Sequence, residues 1–316
     1  MSQNTYDFSV VVPFFREAGN VTALDTEIKA VMAKLGGTTE YIYVHDGSTD
    51  NTLAELKSLK GVTVIDLNRN YGQATALDAG FRHASGAIVI SLDGDGQNDP
   101  SDIPRLLTKL LTDNLDVVAG WRKVRSDRGQ IKVLTKIGRL LRKFIIKDSV
   151  HDTGCTLRVY RSEAVKSLDL QGEMHRYILA LLRWKGFKID EVIVNDRARV
   201  HGKSAYGISK AVRGLIDLLY IWFIHKYSQR PLHLFGYTAL CILCLGVLFF
   251  GYAVYQKIFL EVGINRSGHF LVGSFLLLTS IILMSFGIVI DLLLKIHLNN
   301  SPFERRYYIR EIVKNN

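Results

Sequence analysis

Cysteine is scarce. Cys155, Cys241 and Cys244 are the only three in 316 residues, too few for a disulfide framework or a four-ligand zinc site. Cys241 and Cys244 have the spacing of a redox pair, but they lie in an uncharged run, where buried packing is the expected role. Acids are in deficit as well: 30 Asp and Glu stand against 40 Lys and Arg, a formal net charge of +10 at pH 7. That surplus points to an anionic partner, either nucleic acid or the anionic face of a membrane. The opening residues, "MSQNTYDFSVVVP", have neither the basic start nor the apolar core of a secretory signal. The first domain is therefore expected in the cytoplasm. A dinucleotide fold would carry G-x-G-x-x-G after its first strand, but Pro13 and two phenylalanines stand there. A Walker A motif is missing too.

What is present begins with alternation. The runs "FSVVVP", "YIYVH", "VTVIDL", "AIVISLD" and "DVVAG" are too short for helices and rich in β-branched residues. Between them lie helical stretches at Asn20–Leu35, Asn51–Leu59, Gln73–Ala84 and Ser101–Leu111, with Asn20, Asp50 and Ser101 as N-caps. Strands alternating with helices predict an α/β domain built on a mostly parallel sheet covered on both faces. In such a sheet the ligand sits outside the carboxyl ends of the strands. Beyond Gly120 the chain turns basic, with a helical stretch over 121–147. A polar turn "DSVHDTGCTLRVYR", a helix around "HRYILALLRW" and a strand "FKIDEVIV" follow.

Charge then disappears twice, over Leu234–Tyr255 and Phe270–Ile290. Each run is about the 20 residues needed to cross a bilayer. The link between them carries only Lys257 and Arg266 as basic residues. Lys226 and Arg230 precede the first run, while Lys295, Arg305, Arg306, Arg310 and Lys314 follow the second. The positive-inside rule puts both outer flanks in the cytoplasm. The expected organisation is a cytoplasmic domain over 1–206, an interfacial amphipathic helix over 207–230, and two transmembrane helices within 231–295 (about 232–256 and 269–294). A basic cytoplasmic tail over 296–316 completes it. Two spans argue against nucleic acid as the partner.

The predicted strands deliver polar, turn-prone residues to one rim: "VVPFFREAGN", "VHDGSTDNT", "LNRNYGQATALDAG" and "LDGDGQNDP". Asp93 and Asp95, at i and i+2 on a backbone that Gly94 and Gly96 allow to turn, face one point. With Gln97 as a further oxygen, they suit Mg²⁺ or Mn²⁺ shared with a diphosphate. The plainer alternative is a polar loop with an Asx-turn.

These motifs, with "GWR", "DTGCTLRVYR" and "RVHGKS", run in order from Val10 to Ser204. Together they resemble a GT-A glycosyltransferase of the large inverting family that includes the polyprenyl-phosphate glycosyltransferases. Its members include dolichol-phosphate mannose synthases and bacterial undecaprenyl-phosphate glucose, hexosamine and aminoarabinose transferases. The resemblance implies a nucleotide pocket of Pro13, Phe14, Glu17, Asp46 and Gln73. It also implies a metal held by Asp93, Asp95 and Gln97, with Asp95 and Asp152 as the catalytic pair and Asp152 facing the transferred sugar. Arg122, Lys136 and Arg139 would receive the acceptor phosphate. Arg197, Arg199 and Ser204 would close over the donor diphosphate together with Asp93. Two departures stand out. His45 replaces the first acid of the usual Asp-Asp-Gly-Ser, and "DGDGQ" replaces the usual D-A-D-L-Q.

The reaction implied is inverting transfer of a monosaccharide from a nucleotide sugar, with UDP as the expected carrier, to polyprenyl phosphate at the cytoplasmic leaflet of a bacterial inner membrane. Lipid neighbours and a homo-oligomer are further expected partners. Three other readings stay open: a GDP-mannose-using synthase, a transferase that extends a lipid-linked glycan, and a non-catalytic nucleotide-sugar-binding scaffold. A processive synthase would show Q-x-x-R-W, which is missing. Asp152 has a modest alternative too, capping the turn at "DTG".

Overall fold

The computed structural model describes residues 5–123, 150–197, 222–223, 226–227, 231–261, 263, 268–300 and 309–315. The five short apolar runs form β1 (Tyr6–Phe14), β2 (Thr39–His45), β3 (Val62–Leu67), β4 (Gly86–Ser91) and β5 (Val117–Trp121). The stretches between them form α1 (Val21–Leu35), α2 (Thr52–Ser58), α3 (Gln73–His83) and α4 (Ile103–Thr112). Asp50 Oδ1 accepts the Thr52 N–H at 3.2 Å at the start of α2. Ser101 is not a cap: Asp99 Oδ1 accepts its N–H at 2.9 Å, and a 3₁₀ turn over Pro100–Asp102 leads into α4.

Three further strands complete an eight-stranded sheet: β6 (Arg158–Arg161), β7 (Ile189–Ile193) and β8 (Ile309–Asn315). Its order is β7-β5-β6-β4-β1-β2-β3-β8. The pairs β1–β2, β1–β4, β2–β3 and β5–β7 are parallel, while β6 lies antiparallel between β4 and β5. The mostly parallel α/β domain is thus present, with two antiparallel strands that the sequence reading placed in a polar turn and in a basic tail. β8 pairs antiparallel with β3 and closes that edge of the sheet.

Both faces of the sheet are buried. On one, Val10, Val12 and Phe14 of β1 pack with Leu24, Ile28 and Met32 of α1 and Leu106 and Leu110 of α4. On the other, Val11, Val44, Ile65 and Val89 meet Leu77 and Phe81 of α3, with α5 (Ser162–Lys166) and α6 (Ile178–Trp184) extending that layer. Each such side chain, fully buried, contributes roughly 1.5–3 kcal/mol. The layers hold the strand ends still, and those ends carry the site.

The second unit holds α7 (Pro231–Phe259) and α8 (Gly268–Asn300). Their apolar spans run over 232–259 and 268–294, with mean hydropathies of 2.2 and 2.4. They pack on each other as a hairpin. Ser280 Oγ donates to the Ala239 carbonyl at 2.8 Å, and Gly273 lets the Phe250 backbone come close. Such contacts are how apolar helices associate without a hydrophobic drive between them. Cys241 and Cys244 are exposed on the hairpin surface rather than packed inside it, because the two helices bury only the seam between them. Of the expected interfacial helix, positions 222–223 and 226–227 are described and helical, with Lys226 Nζ 5.4 Å from the ring centroids of Trp222 and Tyr227. The rest of that helix and the basic stretch over 124–149 lie outside the described residues.

Candidate active site

The site forms where β1, β2, β4, β5 and β7 end. At the end of β4, Asp93 and Asp95 flank Gly94. A Cβ on Gly94 would lie 2.5 Å from Phe14 Cδ1 and 2.9 Å from the Pro13 carbonyl, so the loop passes against β1 only because no side chain is there. Gly96 has φ +70°, a backbone conformation costly for other residues. Asp95 is buried, and its Oδ1 accepts the Gln97 N–H at 3.1 Å. The Asx-turn is therefore real, and it is the means by which the second acid is held. Gln73, at the start of α3, donates from Nε2 to Asp93 Oδ1 at 2.5 Å. Gln97 contributes its backbone carbonyl to the Arg197 N–H at 3.0 Å.

Asp93 resists ionisation. Burial and the neighbouring Asp95 charge push it up to about 7, against the opposing pull of Thr156, Arg158 and Arg122. Two carboxylates on one loop, one of them held against ionisation mainly by burial, fit a divalent cation with hard oxygen ligands. No group of three or more His, Cys, Asp or Glu placed to hold a metal ion occurs among the described residues. The remaining ligands would come from a diphosphate and solvent.

Just after β2, Asp46 is buried. Its Oδ1 accepts the Tyr71 N–H at 2.7 Å and its Oδ2 the Gly72 N–H at 2.9 Å. Burial raises its pKa while those two hydrogen bonds lower it, and burial prevails. His45 beside it has both ring nitrogens engaged. Nε2 accepts the Ser48 N–H at 2.9 Å, so Nδ1 carries the proton and donates to Asp66 at 2.7 Å. The imidazole that replaces an acid here ties the loop to β3. Phe14, expected in the nucleotide pocket, lies in the core. It is fully buried, packed edge-on against Tyr43 at 5.4 Å, because it continues the Val10–Val12 face of β1 into the core. The exposed ring is Phe15, with the Arg16 guanidinium 5.2 Å from its centroid. Glu17 takes a local role, accepting from Asn20 Nδ2 at 2.8 Å.

On the opposite side, Arg122 leaves β5 and meets Asp152. Arg122 Nε donates to Asp152 Oδ2 at 2.8 Å and Nη2 to Oδ1 at 3.3 Å, and the Gly154 N–H reaches Oδ1 at 3.0 Å. Asp196 stands 3.6 Å from Arg122 Nη1. Burial opposes the Arg122 charge, but Asp152 and Asp196 outweigh it and hold the guanidinium more firmly protonated than usual. Arg197 is paired with Glu27 at 2.7 Å and Asp99 at 2.8 Å. Arg199, Ser204, Lys136 and Arg139 lie outside the described residues.

Arg158, which the sequence reading did not single out, is 2% exposed beneath the acids. It donates to the Thr153 carbonyl at 2.9 Å and the His175 carbonyl at 3.5 Å. Its charge favours the ionised form of Asp93 and helps push His175 down to about 3, burial being the larger cause. Burial likewise pushes the Cys155 thiol up to about 11, leaving it inert.

Residues 9–169 match the family model described as glycosyl transferase family 2. A dodecaprenyl-phosphate galacturonate synthase from Rhizobium johnstonii is 35% identical over 317 residues, covering 97% of this chain and 93% of that protein. An undecaprenyl-phosphate 4-deoxy-4-formamido-L-arabinose transferase from Edwardsiella ictaluri is 34% identical over 236 residues, covering 72% and 71%. Among solved structures, the glucosyl-3-phosphoglycerate synthase of Mycobacterium tuberculosis, in complex with Mn²⁺, uridine diphosphate and glucosyl-3-phosphoglycerate, aligns with a TM-score of 0.55. At 21% identity, over 69% of this chain and 80% of that one, this likeness speaks to the GT-A fold alone. Rim, fold and family model agree, and the chain is a glycosyltransferase belonging to glycosyl transferase family 2.

Proposed function

We propose that this glycosyltransferase moves a monosaccharide from a nucleotide sugar to the phosphate of a polyprenyl phosphate, with inversion at the anomeric carbon. The observation that carries the reading is one rim with two kinds of charge. The Asp93–Asp95 pair stands on one side of it and the Arg122–Asp152 pair on the other, near enough for the Arg122 charge to act on Asp93. Two relatives named for polyprenyl-phosphate products or acceptors, one of them aligned over nearly the whole chain, support the same acceptor.

In this reading a phosphate oxygen of the lipid attacks the anomeric carbon as the bond to the nucleoside diphosphate breaks. A phosphate monoester is already largely ionised at neutral pH, so the step needs no strong base. Asp152 has its oxygens occupied by Arg122 and Gly154, which suits it to hold the guanidinium rather than to take a proton. Arg122 would then grip the attacking phosphate, the task that the planar guanidinium fork performs well. Mg²⁺ or Mn²⁺ held by Asp93 and Asp95 would supply charge neutralisation for the leaving diphosphate. Arg197, adjacent to that loop, would turn from Glu27 and Asp99 to the same group. UDP is the expected carrier. A uronate joins the hexoses and N-acetylhexosamines as a candidate sugar through the Rhizobium relative.

The test is Arg122→Ala. It is expected to raise the apparent KM for lipid about tenfold or more, with a much smaller change for the donor. An unchanged lipid dependence would move the acceptor site elsewhere.

We further propose that α7 and α8 cross the inner membrane with the sheet domain in the cytoplasm. β8 follows α8 yet pairs with β3, so the chain that leaves the sheet domain returns to it. Any crossing in between must then be even in number. Reporters fused at Met1 and Asn316 are expected on one side of the membrane and a reporter at Gly263 on the other. Opposite sides for the two termini would refute the hairpin.

A further inference from the structure

Glu191 sits on β7 opposite Ala119 of β5, and neither composition nor motif singled it out. Its side chain is only 9% exposed. Oε2 accepts the His151 N–H at 2.8 Å and the His151 ring Nδ1–H at 2.9 Å, and Oε1 accepts the Asp152 N–H at 3.1 Å. One carboxylate therefore grips two successive backbone N–H groups and a side chain of the turn that carries Asp152.

The turn is joined to β5 by two consecutive cross-links. Trp121 stacks on the His151 ring, with centroids 4.2 Å apart and planes 16° from parallel. Arg122 pairs with Asp152. Successive residues of an extended chain point to opposite faces. The ion pair accordingly faces inward, where Arg122 is 11% and Asp152 5% exposed, while the His151 ring stands 60% exposed. Glu191 holds the turn-side partner of both links.

We propose that Glu191 is the positioning residue for the acceptor half of the reaction. It fixes the Asp152 carboxylate through the backbone, and through that carboxylate it sets the plane of the Arg122 guanidinium. The inference rests on the reading of Arg122 as the acceptor-phosphate ligand. Glu191 itself touches no substrate in this account, since its oxygens are spent on protein donors. Its influence is geometric. A guanidinium fork rewards a phosphate only in one plane, and a shift of about 1 Å at a reacting group can cost on the order of 100-fold in rate. The nucleotide half of the rim is built from β1, β2 and β4 and has no contact with this carboxylate among the bonds of Glu191 described above. Loss of Glu191 should therefore separate the two substrates.

The experiment uses the full chain in detergent with undecaprenyl phosphate and a turned-over donor, comparing Glu191→Ala, Glu191→Gln and Arg122→Ala. Glu191→Ala is expected to raise the lipid KM about tenfold, leaving the donor KM within about twofold. Glu191→Gln keeps one amide oxygen for the turn and the side-chain shape, so it should recover part of that loss. It also serves if the alanine variant fails to fold, since a lipid KM equal to wild type in a folded Glu191→Gln protein would overturn the inference. Equal losses for lipid and donor would do the same, marking Glu191 as a general structural group. A raised lipid KM in Arg122→Ala with none in either Glu191 variant overturns this inference alone. No change in Arg122→Ala removes the acceptor reading and the inference with it.

Discussion

Burial first, and the charge of Asp95 across a single glycine second, raise the proton affinity of Asp93. Its pKa moves from the ordinary 3.8 to about 7 when no cation is bound. The sign of the consequence is fixed by linkage. The folded chain keeps a proton that the unfolded chain loses above about pH 4, so this group subtracts stability as pH rises from about 4 to 7. A cation that binds only the folded, deprotonated pair reverses the loss. The thermal midpoint measured with a chelator and with Mn²⁺ should differ little at pH 5 and increasingly toward pH 8. Asp95→Asn should erase that difference and reduce transfer by about 100-fold or more, with membrane insertion intact. Near-wild-type turnover by that variant would remove the metal assignment. The pair was legible because two acids ending an apolar strand have no packing role. Arg158 was not, since a basic residue within "LRVYR" gives no sign that strand pairing will bury it.

Among elements, β8 shows how far local pattern reaches. The runs that became β1 to β5 announce themselves through β-branched residues between turns. "IREIVKN" alternates too weakly, and it is a strand because β3 offers an open edge. Gly61 N–H donates to the Asn315 carbonyl at 2.6 Å, Lys57 pairs with Glu311, and Val313 packs against the core. An uncovered β3 would present unpaired backbone groups to other chains. Deleting 309–316 should therefore lower the thermal midpoint and promote aggregation, and Val313→Asp should cost roughly 1–3 kcal/mol. An unchanged midpoint in both would show that β8 adds nothing to the domain. β6 was missed for a related reason, since its pairing with β4 and β5 joins residues far apart in sequence. Phe14 shows the opposite case. The period of two along Val10, Val12 and Phe14 was there to be read, and it places that ring in the core and leaves Phe15 exposed. The grip of Glu191 on a turn 39 residues away left no trace in local pattern.

At the scale of the molecule, a net charge of +10, two apolar helices and a family 2 domain fit the proposed enzyme, one that meets its substrate at a membrane surface. Basic residues near anionic lipid contribute about 1 kcal/mol each, which draws the domain toward the interface where a polyprenyl phosphate resides. The proposed division of labour across the rim, donor and cation on one side and lipid phosphate on the other, requires that donor cleavage depend on the lipid. The measurement that tests this most directly uses purified protein with Mg²⁺ or Mn²⁺ and a panel of UDP- and GDP-sugars that includes uronates. Nucleoside diphosphate release is scored with and without undecaprenyl phosphate. The account predicts release from one donor that rises with the lipid and yields a sugar-linked polyprenyl phosphate. Equal release without lipid, or no release from any donor by folded protein, would contradict it.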